Sequence, residues 1–347
     1  MEDKNFKTLD LFAGVGGIRL GFEQAGFKTI FANDFDKNCK NTYDINFKEP
    51  KLTIEDIWKL NIDSIPEFDI LLGGFPCQAF SIAGYRKGFR DKEKGNLFFR
   101  IVEILEARKP KAFLLENVKN LRTHDNGKTF EIIKKTLEKD LGYHIKFQIL
   151  NSMKHGNIPQ NRERIFIVGF LDKKKIEAFN FPTPIKLKNR FREYVADKAE
   201  EKYYYNDKPL YERIKNEIDS EDVVYQWRRG YVRANKKSVV PTLTANMGRG
   251  GHNVPLIKNS HGIRKLTPRE CFTLQGFPAS FKLPRELKDS ELYHQAGNSV
   301  TIPVIKRIAD NMMIVLKSYS VVPQRKLNFT FQAPRLKKPE SPFLHNC

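Results

Sequence analysis

Residues 7 to 170 alternate short apolar runs with stretches of helical spacing, and that alternation leaves the chain very few folds to adopt. Lys7 to Phe12 reads as a strand, followed by the glycine turn Ala13-Gly14-Val15-Gly16-Gly17. A helix then carries Ile18, Phe22 and Ala25 on one face and stops at Gly26. Lys28 to Ala32 is a second strand ending in Asn33-Asp34, Phe68 to Leu72 a third, and Ala112 to Leu115 a fourth ending in Glu116-Asn117. Helical spacing recurs over Leu97 to Ala107 and Thr129 to Leu137, and further strands are expected over Tyr143 to Leu150 and Arg164 to Phe170. Strands joined by helices at this interval form a parallel sheet covered on both faces. The expected fold is α/β and Rossmann-like, with a mostly parallel sheet.

The pattern breaks at Phe181-Pro182-Thr183-Pro184. From there to about Leu283 the chain is basic and turn-rich, which reads as a smaller, irregular second domain. The helical stretch Ile302 to Leu316, reached through a turn containing Asn298, returns to the first. The expected division is residues 1–182 and 284–322 for the larger domain, 183–283 for the smaller, and a basic tail over 323–347.

Charge narrows the partner. The chain has 61 Lys and Arg against 41 Asp and Glu, a formal net charge of +20. A protein this basic usually meets a polyanion, most often nucleic acid. Val223 through Arg269 contains ten Lys or Arg and no Asp or Glu, interleaved with Gln226, Trp227, Tyr231 and Asn246. That mixture suits phosphate contacts combined with base-edge contacts. No apolar run approaches the ~20 residues of a membrane span, and Met1-Glu2-Asp3-Lys4 opens no signal-peptide core. Cys39, Cys77, Cys271 and Cys347 are too far apart for a metal-spacing pair, so no metal and a reduced, cytoplasmic setting are expected.

Two turns carry chemistry. Ile70-Leu71-Leu72 runs into Gly74-Phe75-Pro76-Cys77-Gln78, a strand opening into a loop that presents one thiol. The thiolate is the nucleophilic form, and loops at the carboxyl ends of strands hold the chemistry of doubly wound sheets. In the glycine turn, Gly14 and Gly16 fit a dinucleotide fingerprint but Arg19 takes the place of its third glycine. Asp34 follows Gly14 by twenty residues, where a carboxylate can bind ribose hydroxyls. A ribose acceptor without a full phosphate cradle suits a nucleoside cofactor lacking pyrophosphate, such as S-adenosylmethionine.

Six motifs then carry a family resemblance: Asp10-Leu11-Phe12-Ala13-Gly14-Val15-Gly16-Gly17, Gly74-Phe75-Pro76-Cys77-Gln78, Glu116-Asn117-Val118, Gln160-Asn161-Arg162-Glu163-Arg164, Arg264-Lys265-Leu266-Thr267-Pro268-Arg269-Glu270, and Gln295-Ala296-Gly297-Asn298-Ser299-Val300. In this order they resemble the DNA cytosine carbon-5 methyltransferases of prokaryotic restriction-modification systems, over roughly residues 7 to 318. The resemblance implies an S-adenosylmethionine-dependent enzyme acting on double-stranded DNA, with 183 to 262 as its variable part. It further implies a monomer, and a restriction endonuclease of the same target as a possible companion.

The catalytic residues it implies are Cys77, Glu116, Arg162 and Arg164. Cys77 would attack carbon 6 of the base, making carbon 5 nucleophilic. Glu116 would protonate ring nitrogen 3, given a pKa raised by burial. Arg162 and Arg164, alternating along one strand edge, would hold the ring oxygen and phosphate. The implied cofactor contacts are Phe12 and Phe35 on the adenine, Gly14, Gly16 and Gly17 in the turn, and Asp34 on the ribose. Asp56 and Ile57 would reach the adenine edge, with Pro76, Asn298 and Val300 closing the site. Asp34 stands where the family commonly has glutamate.

For DNA, the expected residues are Gln78 and Ser81 in the loop after the thiol, and Arg228, Arg229, Arg233, Thr242 and Arg249 in the variable part. The sequence does not divide these arginines between guanine edges and phosphates. A duplex hides carbon 6, so the target base must swing out. Two other readings remain. The transfer-RNA branch of the family has a Cys-Phe-Thr tripeptide, but here Cys271-Phe272-Thr273 lies inside another motif. A non-catalytic DNA-binding module need not keep Cys77, Glu116 and both arginines.

Overall fold

The computed structural model describes residues 5–76, 97–235, 238–249 and 254–318. Cys77, Gln78, Ser81 and the 323–347 tail lie outside the described residues.

β1 (Lys7–Leu11), β2 (Lys28–Asp34), β3 (Thr53–Ile54), β4 (Ile70–Gly73), β5 (Ala112–Val118), β6 (His144–Asn151), β7 (Gln160–Asn161) and β8 (Glu163–Phe170) precede the irregular half of the chain. All but β7 form one sheet in the order β3-β2-β1-β4-β5-β8-β6. β8 is antiparallel to both its neighbours, so the expected parallel sheet has one reversed strand. The strand bearing Arg164 is consequently interior to the sheet and offers no free edge, which corrects the reading of the arginine pair.

The sheet is covered on both faces, which explains strands that read as unbroken apolar runs. Leu9, Leu71, Phe113, Leu115 and Ile167 turn to one side and pack with Ile101 and Leu105 of α3 (Leu97–Arg108) and Phe130 and Ile133 of α4 (Lys128–Lys135). Their sequence neighbours Ile70, Leu72, Leu114, Phe166 and Val168 face the other way. There they meet Phe22 of α1 (Gly17–Glu23) and Val304, Ile305, Ile308 and Met312 of α7 (Ile302–Ser318). The last helix thus does return to the first sheet; a Cβ on Gly21 would lie 2.6 Å from Ile305. α2 (Lys37–Asn46) was not anticipated, because its apolar spacing is weak; Asp36 caps it, accepting from the Asn38 N–H at 2.9 Å.

The second half builds a four-stranded antiparallel sheet, β9 (Val224–Arg228), β10 (Tyr231–Asn235), β12 (Leu256–Asn259) and β13 (Gly262–Lys265), in the order β10-β9-β12-β13. Between β10 and β12, β11 (Val240–Pro241) pairs in parallel with β7 and ties this half to the first. α5 (Pro268–Thr273) has a local start signal. Thr267 and Glu270 form a reciprocal capping box, with proline at the first helical position. α6 (Asp289–Asn298) makes Asn298 the last residue of a helix, where only a turn was expected.

The boundaries at 183 and 283 do not separate two cores. Ala13, Val15, Ala32, Tyr43 and Phe47 share one buried cluster with Val224, Val240, Leu243, Met247, Phe272, Phe281 and Leu292. No helix among the described residues is long and apolar enough to cross a membrane.

Candidate active site

Strand ends on one side of the sheet assemble the site. β4 runs out at Gly73 into Gly74-Phe75-Pro76, and its neighbour β5 ends in Glu116-Asn117-Val118. Asn117 is buried and its Nδ2 donates to the Phe75 carbonyl at 2.8 Å, fixing the loop that leads to Cys77. A Cβ on Gly74 would stand 3.7 Å from Glu116 Oε2, so the carboxylate lies against this loop. Pro76 is exposed, and Cys77 follows it directly.

Glu116 is 9% exposed and pairs with Arg164, Nε to Oε1 at 3.0 Å. Burial raises its pKa above the ordinary carboxylate value, against the opposing charges of Arg164 and Arg162. Arg164 also donates to the Glu163 carbonyl at 2.9 Å. Arg162 does something else. Its guanidinium is buried and donates to three main-chain carbonyls, Leu243 at 2.8 Å, Gly297 at 3.1 Å and Ser299 at 2.5 Å. It is a bracket joining the two halves of the chain, whereas its neighbour two residues on is an electrostatic partner of Glu116.

A pocket of about 260 Å³ opens beside this pair, lined by Val118, Lys119, Asn120, Asn161, Glu163, Arg164 and Thr242. Thr242 reaches it from the second half and donates through Oγ1 to the Asn161 carbonyl at 2.7 Å. Sequence reasoning missed Lys119, Asn120 and Glu163; Lys119 and Asn120 follow the Glu116-Asn117-Val118 motif, and Glu163 lies between the two arginines of another. Lys119 and Glu163 form an exposed ion pair at 2.6 Å on the rim.

A second, larger cleft of about 690 Å³ lies at the ends of β2 and β3, lined by Phe35, Asp36, Asn38, Ile54, Asp56 and Lys59. Arg249 and His294 also line it. Arg249, expected on DNA, is therefore placed with the residues expected on the cofactor. Phe35 is 75% exposed, a free aromatic face at the mouth of the cleft. Asn33 holds β3 in place through Nδ2 bonds to the Thr53 and Glu55 carbonyls at 3.1 and 3.0 Å, which sets Asp56 beside β2. Ile57 is buried, so only its main chain is available to a ligand.

Asp34 has both oxygens engaged. Gly14 N–H donates to Oδ2 at 2.7 Å and Asp36 N–H to Oδ1 at 2.8 Å. Burial raises its pKa while these two bonds pull it down. The acid therefore also braces the glycine turn, which the ribose reading alone did not include. Gly14 and Gly16 have φ of +54° and +82°, a region closed to most side chains. A Cβ on Gly14 would meet nothing within 4 Å, whereas one on Gly16 would strike the Phe47 ring at 2.3 Å. Gly14 thus leaves room for a ligand, and Gly16 makes room for Phe47. Gly17 packs against Ser299 and Val300, so the turn after α6 does close over the glycine turn. Asn298 is exposed, its Nδ2 3.0 Å from His294 Nε2. Phe12 is half-buried against the sheet core, at φ +55°.

Arg19 explains the missing third glycine. It is buried, with Nε on Glu23 at 2.7 Å and its terminal nitrogens on the Tyr43 hydroxyl and the Pro50 and Glu49 carbonyls at 2.8, 2.9 and 2.6 Å. The guanidinium lies 4.1 Å from the centre of the Phe47 ring. Nearby Asp10, wholly buried on β1, has a pKa pushed up to about 8 by burial, with the Arg19 charge opposing.

The acid-free basic stretch divides. Arg228, Arg229 and Arg233 are exposed on the β9–β10 hairpin. Arg264 is fully buried and bidentate to Glu270, at 2.9 and 2.8 Å, with a further bond to the Ala196 carbonyl. Arg269 donates to the Phe281 carbonyl at 2.6 Å. The expectation that the whole segment faces nucleic acid fails at these two residues, which hold the fold.

Comparison with known proteins adds three findings. Residues 6–313 match the family model of the C-5 cytosine-specific DNA methylases. The chain is 55% identical over 307 residues to the Type II methyltransferase M.Bsp6I of Bacillus sp. (strain RFL6), covering 87% of this chain and 96% of that one. It is 43% identical to the Type II methyltransferase M.DsaV of Dactylococcopsis salina, over 90% of this chain and 87% of the other. Among solved structures, the Entamoeba histolytica methyltransferase EhMeth superposes with a TM-score of 0.68 at 20% identity, covering 91% of this chain and all of that one.

Proposed function

The chain belongs to the C-5 cytosine-specific DNA methylase family, and we propose that it methylates carbon 5 of a cytosine flipped out of one short duplex sequence, through a covalent bond to Cys77. The observation that carries the proposal is the buried Glu116–Arg164 pair set against the Gly74–Pro76 loop, with the Thr242 pocket beside it.

Cytosine carbon 5 is a poor nucleophile until carbon 6 is attacked. The Cys77 thiolate forms the sulfur–carbon 6 bond, and the electron pair displaced toward nitrogen 3 takes a proton from Glu116. A carboxyl whose pKa is raised by burial retains that proton better than an exposed one. Arg164, held by Glu116, keeps a positive charge beside the ring. Asn117 keeps the loop at the height from which the thiolate attacks. Once carbon 5 has its methyl group, loss of the carbon-5 proton to water expels the Cys77 thiolate, and nitrogen 3 returns its proton to Glu116, which restores the ring and the acid. The pocket beside Arg164 has room for a single base, and Thr242 closes it from the second half.

Enzymes of this family take the methyl group from S-adenosylmethionine, and the larger cleft fits that ligand. Phe35 offers a free face for the adenine, Asp34 and Asp56 offer acceptors for hydroxyl and amino groups, and Gly14 leaves space beside its N–H. The family resemblance adds Phe12, Gly16, Gly17, Ile57, Pro76, Asn298 and Val300 to the residues proposed around the cofactor. Bound there, the cofactor supplies an electrophilic methyl group. Kinship with Type II methyltransferases supports a modification role beside an endonuclease of the same target.

The test is base-resolution methylation sequencing of unmethylated genomic DNA treated with the protein and S-adenosylmethionine, with Cys77→Ser alongside. Methylcytosine at one short motif, absent with the variant, is the expected result. Normal turnover by the serine variant would overturn the covalent mechanism.

A further inference from the structure

The β9–β10 hairpin has two unlike faces. Tyr225 and Trp227, opposite Ala234 and Val232, pack on a small core with Ile214, Ile218, Leu256 and Ile263, and the Arg213 guanidinium lies 5.0 Å from the Trp227 ring centre. The other face begins at Val224, buried in the same core as Val240, Leu243 and Met247 next to Thr242. It then leaves that core and presents Gln226 opposite Arg233, and Arg228 opposite Tyr231. Tyr231 is 53% exposed, both arginines are exposed, and Gln226 is half-buried. Among the described residues none of these four has a hydrogen-bond or ion-pair partner. Three other arginines of this half are occupied: Arg264 by Glu270, Arg192 by the Lys258 carbonyl, Arg269 by the Phe281 carbonyl.

We propose that this face reads the target sequence in the major groove, with Arg233 bidentate to a guanine edge and Gln226 on the neighbouring base. The proposal rests on the DNA-methylating function above and goes further by separating the arginines that the sequence left together. Three arguments support it. A two-stranded ribbon fits the major groove, and an arginine fork matches guanine O6 and N7 while an amide can both give and accept at a base edge. Charge complementarity favours DNA as the occupant, since the hairpin belongs to a stretch of ten basic residues without one acid. The face is also continuous with the core that seats Thr242 at the pocket for the flipped base.

Arg229 separates from the other two. With Gly230 it makes the hairpin turn, both at positive φ (+48° and +91°), so its side chain leaves at the tip and off the reading face. It is assigned to a phosphate. Arg249, in the cleft with Phe35, is assigned to neither.

The experiment maps methylation by the full-length protein at base resolution on unmethylated genomic DNA, comparing wild type with Arg233→Ala, Arg233→Lys, Arg228→Ala and Arg229→Gly. Wild type should mark one motif containing guanine. Arg233→Ala and Arg233→Lys should both mark extra sites differing at a single position, with discrimination there falling by about 5- to 150-fold, the worth of one bidentate base contact. Lysine keeps the charge and loses the fork, so it separates base reading from phosphate contact. Arg229→Gly should keep the motif, slow all sites alike and flatten the salt dependence. An unchanged motif in both Arg233 variants, whether rates fall uniformly or stay put, overturns the assignment. A wild type that methylates no duplex overturns the functional reading itself, and is distinguished by failing before any variant is compared.

Discussion

Two sets of arginines in this chain have the same chemistry and opposite fates. Arg162, Arg264 and Arg19 are at most 3% exposed, and each guanidinium is spent on carbonyls or a carboxylate of the protein itself. Arg228, Arg229 and Arg233 stand in solvent with no such partner among the described residues. A net charge of +20 describes both sets equally. Burial and geometry, which composition does not contain, decide which positive charges hold the fold and which remain for a polyanion. Arg164 stands between the two sets, 17% exposed, held by Glu116 and still lining the pocket.

The comparison can be broken at several points. The largest effect is expected at Glu116, the acid paired with Arg164. Glu116→Gln should lower the methylation rate by about 100- to 10,000-fold, in the range of a general acid–base group. Its pKa is raised in the folded protein, so activity that needs its proton falls as pH rises through that raised value; a rate–pH profile of the glutamine variant should lack this limb. An unaltered rate and profile would remove Glu116 from the chemistry.

Next is the structural pair. Arg264→Met leaves the Glu270 carboxylate buried without its partner, and should cost about 3–5 kcal/mol of stability in urea unfolding. If the loss were below about 1 kcal/mol, Arg264 would belong with the solvated arginines.

Asp10 sets a smaller, pH-dependent effect. Its folded-state pKa of about 8 lies above its ordinary value of 3.8, so the folded chain holds a proton that the unfolded chain releases between those values. The contribution of this group is complete below its ordinary value and is lost as pH rises toward 8. Asp10→Asn should flatten that slope in melts across the window. The smallest effect is on the exposed set: Arg228→Ala and Arg233→Ala should leave stability within about 0.5 kcal/mol while changing which sites are methylated.

How far the sequence spoke depended on whether an interaction was local. Strands such as Ile70–Gly73 and Ala112–Val118 were legible because a sheet covered on both faces needs continuous apolar runs. Thr267-Pro268-Arg269-Glu270 declared its helix start through a capping box spanning four residues. Asn117 holds the loop from close by, since its strand ends beside it. Arg162 was not legible, because its three carbonyls lie 81 to 137 residues away. The reversal of β8 was hidden too; Glu163–Phe170 carries an apolar run like that of Ala112–Val118, and direction leaves no trace in composition. Arg249 was grouped with the hairpin arginines by sequence proximity and belongs to another cleft.

The way the Thr242–Gly248 segment is seated bears on how such a protein acquires new targets. A Cβ on Gly297 would fall 2.2 Å from the Thr244 main chain, His294 Nδ1 meets the Ala245 carbonyl at 2.7 Å, and Leu243 and Met247 are fully buried. That seat tolerates almost no variation. The hairpin a few residues earlier is under no such constraint, since its outward side chains contact nothing that must be preserved. Lineages can therefore drift in what they recognise while inheriting the seat unchanged, and an exchange between relatives that cuts after Asn235 and leaves Val240–Gly248 with its host should transplant recognition without dismantling the enzyme.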